Sequence, residues 1–274
     1  MTPNPILGCG IGLRFQHIDQ ILAEKPPIPW LEILSDNYLI PGSVQQDYAI
    51  EIAQHYPVTM HGVGMSLGAT DPFNSEYFLR LKKLADQLNP AWISDHLCWT
   101  SAHGWVSHDL LPLPYTEETI KHVVQRIREA QDRLERRLVI ENVSSYLQYQ
   151  LSTLTEWEFI TAVAEEADCK ILLDVNNIYV SAFNHDFDPC RYLDSISIEH
   201  VQQFHLAGYE DKGTHLLDTH GHPVSDPVWG LYKLALQRFG ALPTLIEWDN
   251  NIPSLEELLA EAHKATEAHI HAFA

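Results

Sequence analysis

Seven short apolar runs in this chain end in an ionisable residue. They are Leu31-Glu32, Met60-His61, Asp95-His96, Ile140-Glu141, Leu173-Asp174, Phe204-His205 and Ile246-Glu247. A further acid and imidazole, Asp218-Thr219-His220, lie between the last two runs. Taken singly, each has an ordinary explanation: a histidine beside an apolar strand is usually a hydrogen-bonded rim residue, and a strand-end glutamate is usually a cap or an ion-pair partner. The set is harder to dismiss. Carboxylates converging on one mouth repel one another and lose hydration, and the 17 Lys and Arg, mostly in helical segments, are poorly placed to compensate. Bound metal ions resolve the conflict directly.

The ligand types narrow the metal. Cys9, Cys98, Cys169 and Cys190 lie far apart and form no CxxC pair, which excludes the common thiolate zinc frameworks and argues against a disulfide scaffold. Imidazole and carboxylate without thiolate suit iron, manganese or zinc better than copper(I) or an iron–sulfur cluster. His61, His96, His205 and His220 with Glu141, Asp174, Asp218 and Glu247 exceed what one ion coordinates. Two or three ions are expected, with Glu141 bridging. Spacing alone does not choose among the metals.

The elements that must hold these residues alternate between strand and helix. Strand signals cover Ile6–Cys9, Trp30–Leu34, Val58–His61, Trp92–His96, Leu138–Glu141, Lys170–Asp174, Gln203–Leu206 and Thr244–Glu247. Their unbroken apolarity fits parallel strands covered on both faces. Between them, a helix opens at Thr116 with Ile120, Val123, Val124 and Ile127 at helical spacing. Thr155 with Glu158 and Ser254 with Glu257 read as capping boxes. Asp226-Pro227 opens a helix that Gly240 closes, and weaker patterns cover 44–55 and 76–88. Eight alternations in 274 residues predict an α/β chain forming a (β/α)8 TIM barrel, one domain over residues 1–274, with chemistry at the C-terminal ends of the strands. The long interval after His96 leaves room for an extra loop at His103–Pro114 over that face.

Composition removes other classes. A formal charge of −20 disfavours a phosphate backbone as partner. No apolar run approaches the roughly 18 residues needed to span a bilayer, and Met1 to Phe15 carries no secretory pattern. A cytoplasmic protein that binds neither nucleic acid nor membrane is expected.

Nine segments in order resemble the multinuclear non-haem iron-dependent oxidative enzymes, the family of the methanobactin-biosynthesis oxidase. They are Gly10 to Arg14 (GIGLR), Glu32 to Tyr38 (EILSDNY), His61 to Gly68 (HGVGMSLG), Ser94 to Trp99 (SDHLCW), Glu141 to Val143 (ENV), Leu172 to Tyr179 (LLDVNNIY), His205 to Gly208 (HLAG), Asp218 to Gly221 (DTHG) and Glu247 to Asp249 (EWD). The resemblance implies the TIM barrel again, with two or three irons (Fe2+/Fe3+) at its mouth and O2 as co-substrate. It implies iron ligands at His61, His96, Glu141, Asp174, His205, Asp218, His220 and Glu247, with Glu141 and His205 essential to catalysis. Asn177 falls where the family supplies a more variable ligand; an amide is a weaker donor than imidazole, which bears on the third ion. The implied substrate is a cysteine of a ribosomally made precursor peptide, presented in many members by a small partner protein.

Other residues have less defined expectations. Glu32 and Asn37 stand beside a strand end and are candidates for substrate binding, as is His185. His103, His108, His215 and His222 fall in loops and read as solvated. Asp95 and Asn142 neighbour proposed ligands and are expected to support them, and Asp249 to hydrogen-bond a ligand imidazole. Cys98 reads as a buried thiol. Two other functions use the same residues: a zinc- or manganese-dependent barrel hydrolase or isomerase, resembling a phosphoesterase or sugar isomerase, and a metal-binding protein without turnover.

Overall fold

Runs such as Leu138–Glu141 place apolar side chains at successive positions, so both faces of each strand need cover. The computed structural model, which describes residues 6–272, provides it with a closed barrel ringed by helices. Its strands are β1 (Cys9–Gly12), β2 (Leu31–Leu34), β3 (Val58–Gly62), β4 (Ile93–His96), β5 (Trp99–Ala102), β6 (Trp105–Leu111), β7 (Leu138–Glu141), β8 (Lys170–Asp174), β9 (Val201–Leu206), β10 (Glu210–Asp211), β11 (Leu216–Leu217) and β12 (Thr244–Ile246). The helices are α1 (Phe15–Glu24), α2 (Val44–His55), α3 (Ser75–Leu88), α4 (Glu117–Leu134), α5 (Glu156–Ala167), α6 (Val175–His185), α7 (Pro189–Ser195), α8 (Asp226–Phe239) and α9 (Leu255–Ala272).

Eight parallel strands close in the order β1-β12-β9-β8-β7-β4-β3-β2, and β2 returns to β1. This is the TIM barrel expected from the alternation. The register sets the height of the site, because His96 pairs with Glu141 and Asp174 with His205 across neighbouring strands. Among the described residues, no helix is long and apolar enough to cross a membrane.

The helices form where the caps dictate. Thr116 accepts from the Thr119 N–H to open α4, whose Ile120, Val123 and Ile127 are buried. Thr155 and Glu158 make both halves of the capping box at α5. At α9, Ser254 accepts from the Glu257 N–H. The start of α8 differs from expectation: Ser225 is the cap residue, and Pro227 lies one position inside the helix behind Asp226.

Two other expectations are corrected. The first strand is Cys9–Gly12, three residues later than Ile6–Cys9. Apolar patterning undercounts Cys-Gly-Ile-Gly, yet Gly10 is required there, since a Cβ would stand 2.5 Å from the Trp30 ring. The segment expected as a loop at His103–Pro114 is largely a hairpin of β5 and β6. His103 and Gly104, both with positive φ (51° and 77°), form its two-residue turn. The His108 side chain lies outside the described residues.

Candidate metal centre

Glu141, at the end of β7, is the middle of the site. Its Oε2 lies 3.1 Å from His61 Nε2 and 3.2 Å from His96 Nε2, while Oε1 lies 3.5 Å from His205 Nδ1. Glu247 continues the line, with Oε2 3.0 Å from His205 Nδ1 and 3.3 Å from His220 Nδ1. His220 Nε2 stands 2.7 Å from Asp218 Oδ1. Three sets of donor atoms each fall within 4.8 Å: His61, His96 and Glu141; Glu141, Asp174, His205 and Glu247; His220, Glu247 and Asp249. Donors about 2.1 Å from one ion are at most about 4.2 Å apart, so these sets need little contraction.

The outer nitrogens fix which atom faces inward. His96 Nδ1–H donates to the Gly62 carbonyl at 3.0 Å, which leaves the Nε2 lone pair toward Glu141. Ser94 gives its own proton to the Met60 carbonyl, so it accepts from His61 Nδ1 at 2.8 Å, with the same result. His205 turns Nε2 toward Glu32, 2.9 Å away, and Nδ1 toward the centre. Histidines that bind metals are held in this manner, by a carbonyl, hydroxyl or carboxylate on the far nitrogen.

The residues present fit metal ions by a second observation. His61 Nε2, Glu141 Oε2, Asp174 Oδ2, Asn177 Oδ1, His205 Nδ1 and His220 Nε2 are buried without a hydrogen-bond partner. His61 Nε2 and Glu141 Oε2 lie 3.1 Å apart and His220 Nε2 lies 2.7 Å from Asp218 Oδ1, yet neither pair meets hydrogen-bond geometry. Orphaned buried donors cost about 1–3 kcal/mol each, and so many in one place call for a shared cation.

Charge tells the same story. Burial would lower the His61 pKa, but the Glu141 carboxylate against it raises it to about 9. Burial opposes ionisation of Glu141, yet His96, His205 and His61 hold it well below the usual carboxylate range. Glu247 behaves likewise between His205 and His220, which are themselves held well above their ordinary value by surrounding carboxylates. Asp174 moves the other way, pushed up by burial and by the Glu141 charge. Burial keeps His96 below its ordinary value. Without metal, protons on imidazoles supply part of the positive charge.

The sequence-derived residues are distributed as follows. His61, His96, Glu141, Asp174, His205 and Glu247 converge at one barrel mouth. Asp218 and His220 meet beside them, with Asp218 also accepting from Ser144 and Asn176. Asn177 is buried, its amide donating to the Asn142 carbonyl and its oxygen free. Asp174 caps α6 by accepting from the Asn177 N–H with one oxygen, leaving Oδ2 for the centre.

Glu32 does not line the cavity above the centre. It lies 2% exposed beneath His205, where Thr59 and Gln203 donate to its Oε2. Asn37 is exposed and lines the cavity above the centre. His185 stands apart from that cavity, bonded to Ser145 Oγ at 2.7 Å and lining a neighbouring one. Asp95 accepts from the Met65 and His96 N–H groups, and Asn142 ties the ends of β7 and β8 through the Asp174 backbone. Asp249 Oδ2 lies 3.0 Å from His220 Nδ1, as an imidazole partner should. Cys98 is buried, and burial raises its thiol pKa well above its ordinary value.

Four supporting residues were not singled out in advance. Thr59 and Gln203 each precede a lumen-facing histidine by two positions, so strand alternation could have placed them on the same face. Ser94 precedes His96 in the same way, and Arg14 ends the GIGLR segment, where no role was assigned to it. Arg14 is, among the described residues, the one Lys or Arg lining the cavity of about 610 Å³ above the centre.

Comparison with known proteins supplies the last findings. Residues 8–269 match a family described as RiPP precursor modification enzyme MbnB/TglH/ChrH, where RiPP denotes a ribosomally synthesised and post-translationally modified peptide. A UPF0276 protein of Acaryochloris marina is 53% identical over 260 residues, covering 95% of this chain and 94% of its own length. Another, from Anaeromyxobacter, is 49% identical over 269 residues, covering 98% and 95%. Among solved structures, endonuclease IV from Thermus thermophilus aligns with a TM-score of 0.63 at 15% identity, covering 96% of this chain and 99% of that one. A D-psicose 3-epimerase from Clostridium cellulolyticum gives 0.62 at 13%, covering 97% and 99%. At such identities these two share the fold alone.

Proposed function

We propose a function for a chain that belongs to the RiPP precursor modification enzymes MbnB/TglH/ChrH: an iron- and O2-dependent oxidase or oxygenase that modifies a cysteine of a precursor peptide. The observation that carries this reading is Glu141, buried and shared between two sets of orphaned donors. His61, His96 and Glu141 would hold one ion, and Glu141, Asp174, His205 and Glu247 a second. Asp218, His220 and Asn177 would hold a third. The carboxylate and imidazole donors suit iron. Iron there would supply O2 chemistry and lower the pKa of a substrate thiol.

The chain's own residues do the rest. Glu141 and His205 are the residues on which turnover depends, because Glu141 is shared by two donor sets and His205 Nδ1 lies between Glu141 and Glu247. Glu32, locked by Thr59 and Gln203, keeps the His205 ring fixed while the charge around it changes. The cavity over the centre is wide enough for a cysteine side chain with its flanking backbone, and Asn37 at its rim is placed to bind the peptide. A chain of charge −20 favours a basic peptide or a basic partner protein that presents it. The reaction belongs in the cytoplasm, where the buried free thiols Cys9, Cys98 and Cys169 stay reduced.

Anaerobic purification with elemental analysis, followed by O2 uptake with a thiol peptide, tests the reading. Iron near two or three per chain and thiol-dependent O2 consumption are expected. Glu141→Ala and His205→Ala should each cut metal content and abolish O2 use. Bound zinc or manganese with no O2 dependence would instead return the chain to a hydrolase or isomerase, and metal without any turnover to a binding protein.

A further inference from the structure

We propose that Arg14 and Asp249 are positioning residues for the outermost ion. Arg14 holds Asp249 against Nδ1 of His220, so that His220 presents Nε2 inward beside Asp218 and Asn177. This rests on the metal reading above and adds which nitrogen binds and what decides it.

His220 has two faces. Its Nε2 meets Asp218 Oδ1 at 2.7 Å, whereas its Nδ1 meets Asp249 Oδ2 at 3.0 Å and Glu247 Oε2 at 3.3 Å. The second trio is itself spaced to take an ion. What stands beside it is a guanidinium. Arg14 Nη2 pairs with Asp249 Oδ1 and lies 4.0 Å from Glu247 Oε1, and Arg14 Nε donates to the Trp248 carbonyl at 2.9 Å. An arginine stays charged at every accessible pH, so it fills the cation position on the Nδ1 side and repels a metal there.

The place for that guanidinium is built into the chain. A Cβ on Gly12 would stand 2.7 Å from Arg14 Nη1, so the glycine leaves the room it needs. The Arg14 side chain is only 13% exposed. The backbone clamps the other partner: Asp249 and Asn250 both donate N–H groups to the His220 carbonyl, and Asn250 Nδ2 donates to the Thr219 carbonyl. His220 sits at φ +46°, in the left-handed region that few non-glycine residues adopt, and these hydrogen bonds hold it there. Asp249 thus receives the Nδ1 proton, and Nε2 is the nitrogen left to offer its lone pair to an ion.

The test loads metal-free protein anaerobically with Fe(II), and separately with Zn(II) as a redox-inert probe, and counts ions per chain against graded chelator. Arg14→Gln and Asp249→Asn should weaken the last-bound ion by about 10–100-fold, the usual effect of losing such a partner, and leave the ions at Glu141 at wild-type affinity. Arg14→Lys keeps the charge without the fork and should recover only part of the loss. Wild-type affinity for the last ion in both Arg14→Gln and Asp249→Asn would overturn the assignment. So would tighter binding in Arg14→Gln, or loss of every ion in both variants, which would mean a collapsed mouth. Wild-type protein that takes neither metal overturns this inference and the metal reading together. Loading as expected in a protein that consumes no O2 supports the positioning role and removes only the oxidase.

Discussion

Two shielded glutamates near the barrel mouth have opposite characters. Glu141 is surrounded by imidazoles and stays ionised far below the usual range. Glu156, at the start of α5, is enclosed instead with Tyr192, whose hydroxyl donates to it at 3.0 Å, and Tyr115. There burial raises the pKa to about 7, and the two hydroxyls offset only part of it. Burial disfavours the charged form of both, fully buried Glu141 and half-buried Glu156, and the partners decide the outcome. Imidazoles keep Glu141 ionised, whereas the phenols beside Glu156 only partly offset the burial that raises it. A cleft lined with acids is therefore not by itself a metal site.

The largest expected effect is Glu141→Gln, which keeps the shape and removes the charge. It should abolish tight metal binding by elemental analysis, whereas Glu156→Gln should load as wild type does. Equal loading by the two variants would erase the distinction between these glutamates.

Metal addition should come next. A ligand at 1,000 times its Kd stabilises by about 4 kcal/mol, which for a chain of this size raises Tm by roughly 10 °C. The rise should be kept in Glu156→Gln and lost in Glu141→Gln.

The pH dependence separates the regions further. His61 has a pKa of about 9 in the folded protein, against an ordinary value of 6.5. Its contribution to metal-free stability is thus complete below pH 6.5 and lost as pH rises through 9. Metal affinity should rise over the same interval, because binding displaces that proton. Glu156, raised from 4.5 to about 7, contributes stability that is lost as pH rises from 4.5 through 7. Asp95, which burial and Asp36 also raise to about 7, adds to that lower window. Thermal melts should show the upper window disappear on metal loading and the lower one flatten in Glu156→Gln. A lower window unchanged by that substitution would count against the neutral glutamate.

The smallest effect belongs to Tyr192→Phe. Losing one hydroxyl to Glu156 should cost about 1 kcal/mol in chemical denaturation and leave metal content unaltered.

Much of the barrel was legible because parallel strands announce themselves as short apolar runs, and because a ligand at a strand's end is adjacent to that run in sequence. His61, His96, Glu141, Asp174, His205 and Glu247 all follow this rule. What escaped reading depends on contacts between distant segments. Ser94 acts on His61 from the next strand, and Glu32 reaches His205 across the lumen rather than a substrate. The first strand was misplaced because Gly10, required by the Trp30 ring, and Gly12, beside Arg14, carry no apolar signal. The hairpin went unseen because its turn is His-Gly rather than a common turn pair.

The salt link from Arg14 to Asp249 joins positions 235 residues apart. It spans the seam where β1 meets β12, the last pairing that synthesis makes possible. A nascent polypeptide still lacking β12 holds neither Glu247 nor Asp249, so the outer end of the centre comes into being only when the ring is shut. Assembly of the candidate metal centre is in this way made to wait for a finished scaffold.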